Sequence, residues 1–465
     1  MVLVLVLVLG LAGVGAALAV TLPADETEAV RLPEAAMPGR LLVGFQDDPS
    51  LRWADNRAKM LDRAQRAGAR VIRTTVDWSV AAPRRPGSPR SSFDPAYRLA
   101  DVDDLARQAQ LRGIELLITI WGTPTWANGG QEPNRAPQRP GDLADFAQAV
   151  ADRYSGRHPG YPAVRLYSAW NEPNLELFLS PQFDAQGRSV APAAYAHIAQ
   201  AIYDGVKRGN ADALVAVGET SARGRDVPAS GPAQESHSPG TFAHLLSEAD
   251  PDLSFDAWAQ HPYPTRPNNP PAEPVRWPGV GLTSLERFGQ ALESWFDREE
   301  VPLWLTEYGH ETEPTEPLGV SPLDQARFAR QALGAAAGNP RVRMLVWFVL
   351  RDSRGNPWQS GLIDQAGEPK PAFHTFRGAA SVLDARNPIL PQGSSAALVP
   401  AFELAHRVEP GSPIEVTLSG RRAGSVQLRA DGWLDVPLDN VAEGVIELEA
   451  VDVHGDAIAR RITLG

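Results

Sequence analysis

The chain has 465 residues, of which 43% are hydrophobic and 22% are charged, and its formal net charge at pH 7 is −12. This balance is typical of a folded protein with a large core. The acidic excess argues against nucleic acid or an anionic membrane surface as a partner, because phosphate binding needs clustered lysine and arginine. The chain has no cysteine, which excludes disulfides, thiolate catalysis and zinc–cysteine sites, and its nine histidines lack the spacing of a helix-borne zinc site. We therefore predict no metal and no cofactor.

The first twenty residues differ from the rest of the chain. Residues 2–20 form an unbroken apolar segment that contains Ala17-Leu18-Ala19 just before the composition turns polar. An Ala-x-Ala sequence after an apolar run is typical of a signal-peptidase site, although the positive charges that normally precede the run are missing. A run of this length also just suffices to span a bilayer. We predict that residues 1–22 are a signal peptide or membrane anchor, that residues 23–39 are a linker, and that the protein is secreted or extracytoplasmic.

From residue 41 onwards, short β-rich runs alternate with amphipathic stretches that are rich in alanine, arginine and leucine. The predicted strands are 41–45, 70–76, 114–120, 164–170, 213–218, 255–259, 302–306 and 344–349. The predicted helices are 51–67, 100–112, 142–154, 193–208, 241–248, 282–298, 323–337 and 371–383. Eight such pairs indicate an α/β fold, a (β/α)8 TIM barrel over residues 40–385.

An open doubly wound sheet is the competing fold. It would normally carry a glycine-rich phosphate turn after the first strand, and residues 44–48 have no such turn. The connections after the strands are also longer than those after the helices. This asymmetry favours a barrel whose site-building loops lie on its C-terminal face.

The pattern changes after a predicted linker at residues 386–396. Short runs at 414–418, 425–429, 434–438, 445–451 and 457–463 are separated by Gly, Asp and Asn turns. They predict a small all-β, sandwich-like accessory domain over residues 397–465. Its role stays open between packing on the barrel and binding sugar, and its one tryptophan favours the structural role.

Two glutamates end predicted strands. Glu172 lies in a Trp-Asn-Glu-Pro-Asn sequence (residues 170–174) after the fourth strand, and Glu307 closes the seventh. Carboxylates at the C-terminal ends of barrel strands are where this fold places its chemistry, and two of them are the minimum apparatus for cleaving a glycosidic bond. Pro173 is expected to hold Glu172 extended. Asn171 is placed to bind a sugar hydroxyl. Glu219, which ends the fifth strand, competes with Glu307, as do glutamates 311, 313 and 316 in the loop that follows.

Five further side chains complete the predicted site. Arg73 is a charge inside an apolar strand, which is costly unless it is paired, so it is expected to keep a carboxylate ionised. His261 and Tyr263 follow the sixth strand; Tyr263 is a candidate donor to the nucleophile and His261 a candidate substrate ligand. Trp121 and Trp347 are the best candidates for an aromatic platform beneath a sugar ring.

Together these residues resemble the pattern of glycoside hydrolase clan A, the retaining (β/α)8 glycosidases. The sequence around Glu172 is most similar to families 39 and 5 of that clan. Arg73, His261, Tyr263 and Trp347 match an arginine, a His/Tyr pair and a stacking tryptophan of that clan. The resemblance covers residues 40 to 385. It implies that Glu172 is the acid/base and Glu307 the nucleophile of a double displacement that retains configuration, with carboxyl groups about 5–5.5 Å apart.

Two alternatives share these residues. One is a transglycosylase that uses a sugar acceptor in place of water, and the other is a barrel that binds carbohydrate without cleaving it. The sugar, the linkage and endo or exo attack are not readable from the sequence.

Overall fold

The computed structural model describes residues 41–229, 234–354, 356, 358–382, 389–390, 396–401, 404, 408–409, 411–429, 433–438 and 444–464. The expected apolar N-terminal segment and the linker at 23–39 lie outside these residues. Within the described part of the chain, no helix is both long and apolar enough to cross a membrane.

Eight parallel strands close into a barrel in chain order, which confirms the predicted TIM barrel. The strands are β1 (Leu42–Gln46), β2 (Val71–Asp77), β3 (Glu115–Trp121), β4 (Leu166–Ala169), β5 (Leu214–Ser221), β6 (Ala257–His261), β7 (Leu303–Tyr308) and β8 (Val342–Phe348). All eight predicted runs therefore form strands, with ends displaced by a few residues.

Helices surround this barrel. They are α1 (Arg57–Arg66), α2 (Trp78–Ala81), α3 (Ala100–Gln110), α4 (Thr125–Asn128), α5 (Pro140–Arg153), α6 (Ala191–Gly209), α7 (Pro239–Ala249), α8 (Leu285–Trp295), α9 (Pro322–Gly338) and α10 (Pro371–Val382). Proline occupies the first turn of α5, α6, α7 and α9, where its missing N–H costs no hydrogen bond. The long helix predicted at 51–67 is divided, since a π-helical turn at Pro49–Trp53 precedes α1.

Alternation along the strands separates two apolar layers. One large cluster fills the space between strands and helices, and a smaller cluster that includes Val71, Leu117, Leu166 and Met344 plugs the barrel interior. Because side chains repeat every second residue, the inward face of β2 continues from Val71 to Arg73 and then to Thr75. The apolar cluster inside the barrel therefore ends just below the level of Arg73. The polar residues above it line the C-terminal end of the barrel.

The described residues of the C-terminal region form two β-sheets, in agreement with the predicted β domain. A two-stranded sheet joins β10 (Ala396–Pro400) to β13 (Trp433–Pro437). A five-stranded sheet contains, in order, β12 (Arg421–Gln427), β11 (Pro413–Leu418), β14 (Gly444–Val451), β15 (Ala457–Leu464) and β9 (Ile389–Leu390). The segment that we expected to be only a linker, 386–396, thus contributes β9, which pairs in parallel with β15.

Candidate active site

The two predicted carboxylates meet at the C-terminal end of the barrel. Glu172 follows β4, Glu307 lies near the end of β7, and one carboxylate oxygen of each lies within 4.8 Å of the other. Their side chains are 14% and 13% exposed, respectively. The expectation that Pro173 holds Glu172 extended is wrong, because Glu172 has a φ of 38°, in the left-handed region. Its backbone N–H donates to the Glu219 carbonyl oxygen (2.9 Å), which helps to hold this conformation.

Both glutamates open into one cavity of about 550 Å³. Its polar wall contains Asn171, Tyr263 and Gln46, and its apolar wall contains Trp121, Trp358 and Leu177. Asn171 accepts a hydrogen bond at Oδ1 from Nη2 of Arg73 (2.7 Å). This bond uses the carbonyl end of the amide, so the NH₂ end of Asn171 is left to face the cavity, and its binding of a sugar hydroxyl stays a prediction.

Arg73 is fully buried and lies beneath the carboxylates rather than on the cavity wall. Its Nη1 donates to Oε1 of Glu307 (2.6 Å), and its Nη2 lies 2.7 Å from Oε1 of Glu219. Burial opposes the charge of the guanidinium, but Glu219 and Glu307 outweigh it and raise the pKa of Arg73. Arg73 is therefore a permanent cation that pairs with Glu307 and Glu219, and a partner of this kind is what its buried position in an apolar strand requires.

His261 is also buried, so the structure does not place it as a direct substrate ligand. Its Nδ1 lies 2.9 Å from Oε1 of Glu172 and 3.7 Å from Oε2 of Glu307, while its Nε2 lies 3.4 Å from Oε1 of Glu219. Burial alone would lower the pKa of His261, but the surrounding carboxylates outweigh burial and raise the pKa to about 9. The ring is thus an imidazolium at neutral pH, with Nδ1 facing Glu172 and Nε2 facing Glu219.

This charge state predicts a pH dependence of stability. Since the pKa of His261 rises from 6.5 to about 9 on folding, its stabilising contribution is complete below pH 6.5 and is lost as the pH rises through 9. We expect a fall in the free energy of unfolding across this interval, and we expect His261→Asn to flatten it. Urea unfolding of both proteins at several pH values between 6 and 9.5 would measure the effect. Parallel curves for the two proteins would contradict it.

Tyr263 lies where the sequence analysis expected a donor to the nucleophile. Its hydroxyl donates to Oε2 of Glu307 (3.2 Å), and its ring lies on the cavity wall. Burial and the charges of Glu307 and Glu172 raise the pKa of Tyr263 well above its usual value, so the phenol keeps its proton. Glu307 consequently receives one hydrogen bond at each oxygen, from Arg73 and from Tyr263.

The two predicted aromatic platforms have different outcomes. Trp121 lines the cavity, half-buried, with its ring 6.1 Å from that of Phe178. The prediction that Trp347 forms a platform beneath a sugar ring is wrong, because Trp347 is fully buried and its Nε1 donates to the Ser360 carbonyl oxygen (2.8 Å). Met344 and Val346 point into the barrel from β8, so Trp347 points outwards towards the helices.

Trp358 is the cavity tryptophan that the sequence analysis missed as a platform. It is 39% exposed, lines the cavity and stacks on Tyr263 with ring centroids 5.5 Å apart. It lies in the loop after β8, where no strand periodicity indicates which way a side chain points. Its position after the last barrel strand was the only available signal.

The two tryptophans on and beyond β8 give a matched prediction. We expect Trp358→Ala to raise KM about tenfold with little change in thermal stability, because it removes an exposed apolar face from the cavity. We expect Trp347→Phe to lower the melting temperature with little change in KM, because it opens space in a packed layer. Steady-state kinetics and thermal melts of both variants would test this pair. The reverse assignment of the two effects would restore Trp347 as the platform.

The competing glutamates lie off the cavity wall. Glu219 is fully buried behind Arg73 and His261, and Glu311 is buried against the backbone of Gln359. Glu313 is exposed and Glu316 is half-buried in the loop after β7. Of the glutamates considered, only Glu172 and Glu307 open into the cavity.

Glu172, His261 and Glu307 offer atoms that could ligate a metal, and these atoms lie within 4.8 Å of one another. The donor set does not fit a cation. Both nitrogens of His261 already face carboxylates, and the Arg73 guanidinium pairs with Glu307 in the adjacent position.

Comparison with known proteins agrees with the barrel fold and gives the family. The family model described as Cellulase (glycosyl hydrolase family 5) matches residues 40–332. Among solved structures, a family 39 glycoside hydrolase from Bacteroides cellulosilyticus WH2 superposes with a TM-score of 0.53 at 17% identity, covering 90% of this chain and 71% of that one. A glucosidase from Croceicoccus marinus gives 0.57 at 14% identity, covering 92% and 81%. GH5_18 from Streptomyces cattleya, solved with GlcNAc, gives 0.52 at 16% identity, covering 77% and 86%. A search of curated proteins finds no match.

Proposed function

We propose that this chain, which belongs to the cellulase family (glycosyl hydrolase family 5) and is a glycosidase acting on O-glycosyl compounds, works by a retaining double displacement. Glu307 is the nucleophile and Glu172 is the acid/base in this proposal. The substrate is an oligo- or polysaccharide.

One observation carries the retaining mechanism: the separation of the two carboxylates. Retaining glycosidases place the carboxyl groups about 5–5.5 Å apart, whereas inverting enzymes leave about 6.5–9.5 Å so that water fits between a base and the sugar. Oxygens of Glu172 and Glu307 within 4.8 Å of each other support direct attack by a carboxylate.

The contacts of each glutamate support the division of roles. Glu307 pairs with Arg73 and accepts from Tyr263, and both interactions favour the ionised form that a nucleophile needs. Glu172 has no such contact with Arg73 among those the structure shows, and His261 orients it. In the first step, a Glu307 oxygen bonds to the anomeric carbon while the bond to the leaving oxygen breaks and that oxygen takes the Glu172 proton. In the second step, water attacks the anomeric carbon, gives its proton to Glu172 and releases Glu307.

A substrate screen with a matched blank would test the proposal. Aryl glycosides and plant and microbial polysaccharides would be incubated with the wild type, with Glu307→Gln and with Glu313→Gln, which alters an exposed glutamate of the same loop. We expect turnover by the wild type and Glu313→Gln only, and a first-formed product that keeps the anomeric configuration by NMR. A product of inverted configuration would contradict the mechanism. Repeating the reaction with added sugar acceptors would show transglycosylation.

We also propose export from the cytoplasm. The apolar segment at residues 2–20 and its Ala-Leu-Ala sequence support the proposal. N-terminal sequencing of the protein recovered after expression in a secreting host would distinguish a cleaved signal, with an N-terminus just after this segment, from a retained anchor. Recovery of the uncleaved chain from the cytosolic fraction would contradict export.

A further inference from the structure

Glu219 is a buried carboxylate that the proposed mechanism does not use. It lies near the end of β5, where the pairing register with β6 shifts between Gly218 and Thr220. Ala216 points into the barrel, so regular alternation would point Glu219 outwards; the bulge turns it inwards. Its φ of 50° is in the left-handed region, and its side chain is completely buried. A charged side chain in a strained backbone beneath an active site calls for a functional explanation.

The contacts of Glu219 reach both catalytic glutamates through their cationic neighbours. Its Oε1 lies 2.7 Å from Nη2 of Arg73 and 3.4 Å from Nε2 of His261. Arg73 in turn contacts Glu307, and His261 contacts Glu172. Burial would raise the pKa of Glu219, but Arg73 and then His261 outweigh it and hold the pKa below its usual range. Glu219 is therefore an anion throughout the working pH range.

Charge counting shows why a third carboxylate matters. Arg73 and His261 supply two positive charges within a buried cluster. If Glu172 and Glu307 were the only carboxylates, neutrality would require both of them to be ionised, and the acid would have no proton to donate. With Glu219 permanently negative, neutrality leaves room for one more anion. Glu307 takes that charge because Arg73 and Tyr263 both contact it.

We propose that Glu219 is a positioning residue that balances the charge of Arg73 and His261, so that Glu172 keeps its proton while Glu307 stays ionised. The inference rests on the proposed function of the two glutamates. The balance also holds through the first step, because Glu307 becomes a neutral ester while Glu172 becomes the anion. Two cations and two anions are present before and after this step, so no net charge develops in the buried cluster.

The proposal depends on every charged or titratable group that faces Glu219. Arg73 approaches from β2, His261 from β6, and Glu172 and Glu307 lie beyond them. Tyr195 approaches from α6, with its hydroxyl donating to the Ala169 carbonyl oxygen and accepting from the Gly218 N–H. Burial raises the pKa of Tyr195 well above its usual value, so it adds no charge to this count.

The test compares four proteins: the wild type, Glu219→Gln, His261→Asn and the double variant. For each, kcat/KM is measured against pH with the 4-nitrophenyl glycoside that the wild type cleaves best, and the pH at which activity falls on the alkaline side (the alkaline limb) is compared. Glu219→Gln should move the alkaline limb to lower pH by about one unit, because the cluster then favours ionisation of Glu172. His261→Asn removes a cation and should move the limb to higher pH. The double variant restores neutrality, so its limb should return towards that of the wild type. Glu115→Gln, which removes a buried carboxylate at the opposite end of the barrel, should leave the limb in place.

Coincident limbs in the wild type and Glu219→Gln would overturn the proposal, since a purely structural role lowers the amount of active enzyme without moving the limb. If Glu219→Gln does not fold, the alkaline limbs of His261→Asn and of the double variant are compared instead. Coincidence of these two limbs would also overturn the proposal. Failure of the proposed function is separate, because it shows as no glycoside turnover by the wild type. In that case, NMR titration of ¹⁵N-labelled His261 still tests the charge coupling: a midpoint near 9 that does not fall in Glu219→Gln would overturn it.

Discussion

Replacing Glu307 with glutamine is expected to abolish hydrolysis, with a loss in kcat of at least about 10³-fold, or about 4 kcal/mol of transition-state stabilisation. Glutamine has nearly the same shape as glutamate, so it still fits between Arg73 and Tyr263. Its neutral amide oxygen, however, is a poor nucleophile, and it leaves the Arg73 guanidinium without one of its counter-charges. The fold should survive, and the first chemical step should not.

The comparison that isolates the nucleophile uses a truncation. Glu307→Ala opens space beside the anomeric carbon, and added azide should then displace the leaving group in a single step, giving a glycosyl azide of inverted configuration. Glu313→Gln, assayed beside it, should keep wild-type activity. Near wild-type turnover by Glu307→Gln, with contaminating enzyme excluded by a mock purification from host cells that lack the gene, would remove Glu307 from the nucleophile role.

Replacing Glu172 with glutamine is expected to separate substrates by their leaving groups. A positioned general acid contributes about 10²–10⁴-fold, and that contribution matters most when the departing oxygen is a poor leaving group. We expect a loss in this range for an alkyl glycoside or an oligosaccharide. For a dinitrophenyl glycoside, the first step should remain fast, because the departing phenolate needs no proton.

The second step should then limit the Glu172→Gln variant, since no base activates water. Stopped-flow measurement should show a burst of phenolate followed by a slow steady state, and KM should fall because the glycosyl-enzyme accumulates. Added azide should speed the steady state and give a product of retained configuration, because this anion needs no base. Equal losses for good and poor leaving groups would mean that Glu172 acts in some other way.

Periodicity and local spacing determined much of this protein. Eight apolar runs alternating with amphipathic helices specify a barrel, because parallel strands covered on both sides must be apolar and their connections must be helical. Glu172 and Glu307 were recognisable because they end such runs. Arg73 was recognisable because a charge inside an apolar strand requires a partner, and the structure supplies Glu307 and Glu219.

The sequence left undecided which way several side chains point. Trp347 follows the inward Val346 by one position on β8, so it faces the helices. Trp358 reaches the cavity from a loop, where no alternation indicates the direction of a side chain. Glu219 and Glu307 both lie at register shifts that reverse the face expected from their strands. A bulge depends on how two distant segments pair, so only the tertiary structure decides which carboxylate reaches the cavity and which one stays buried beneath it.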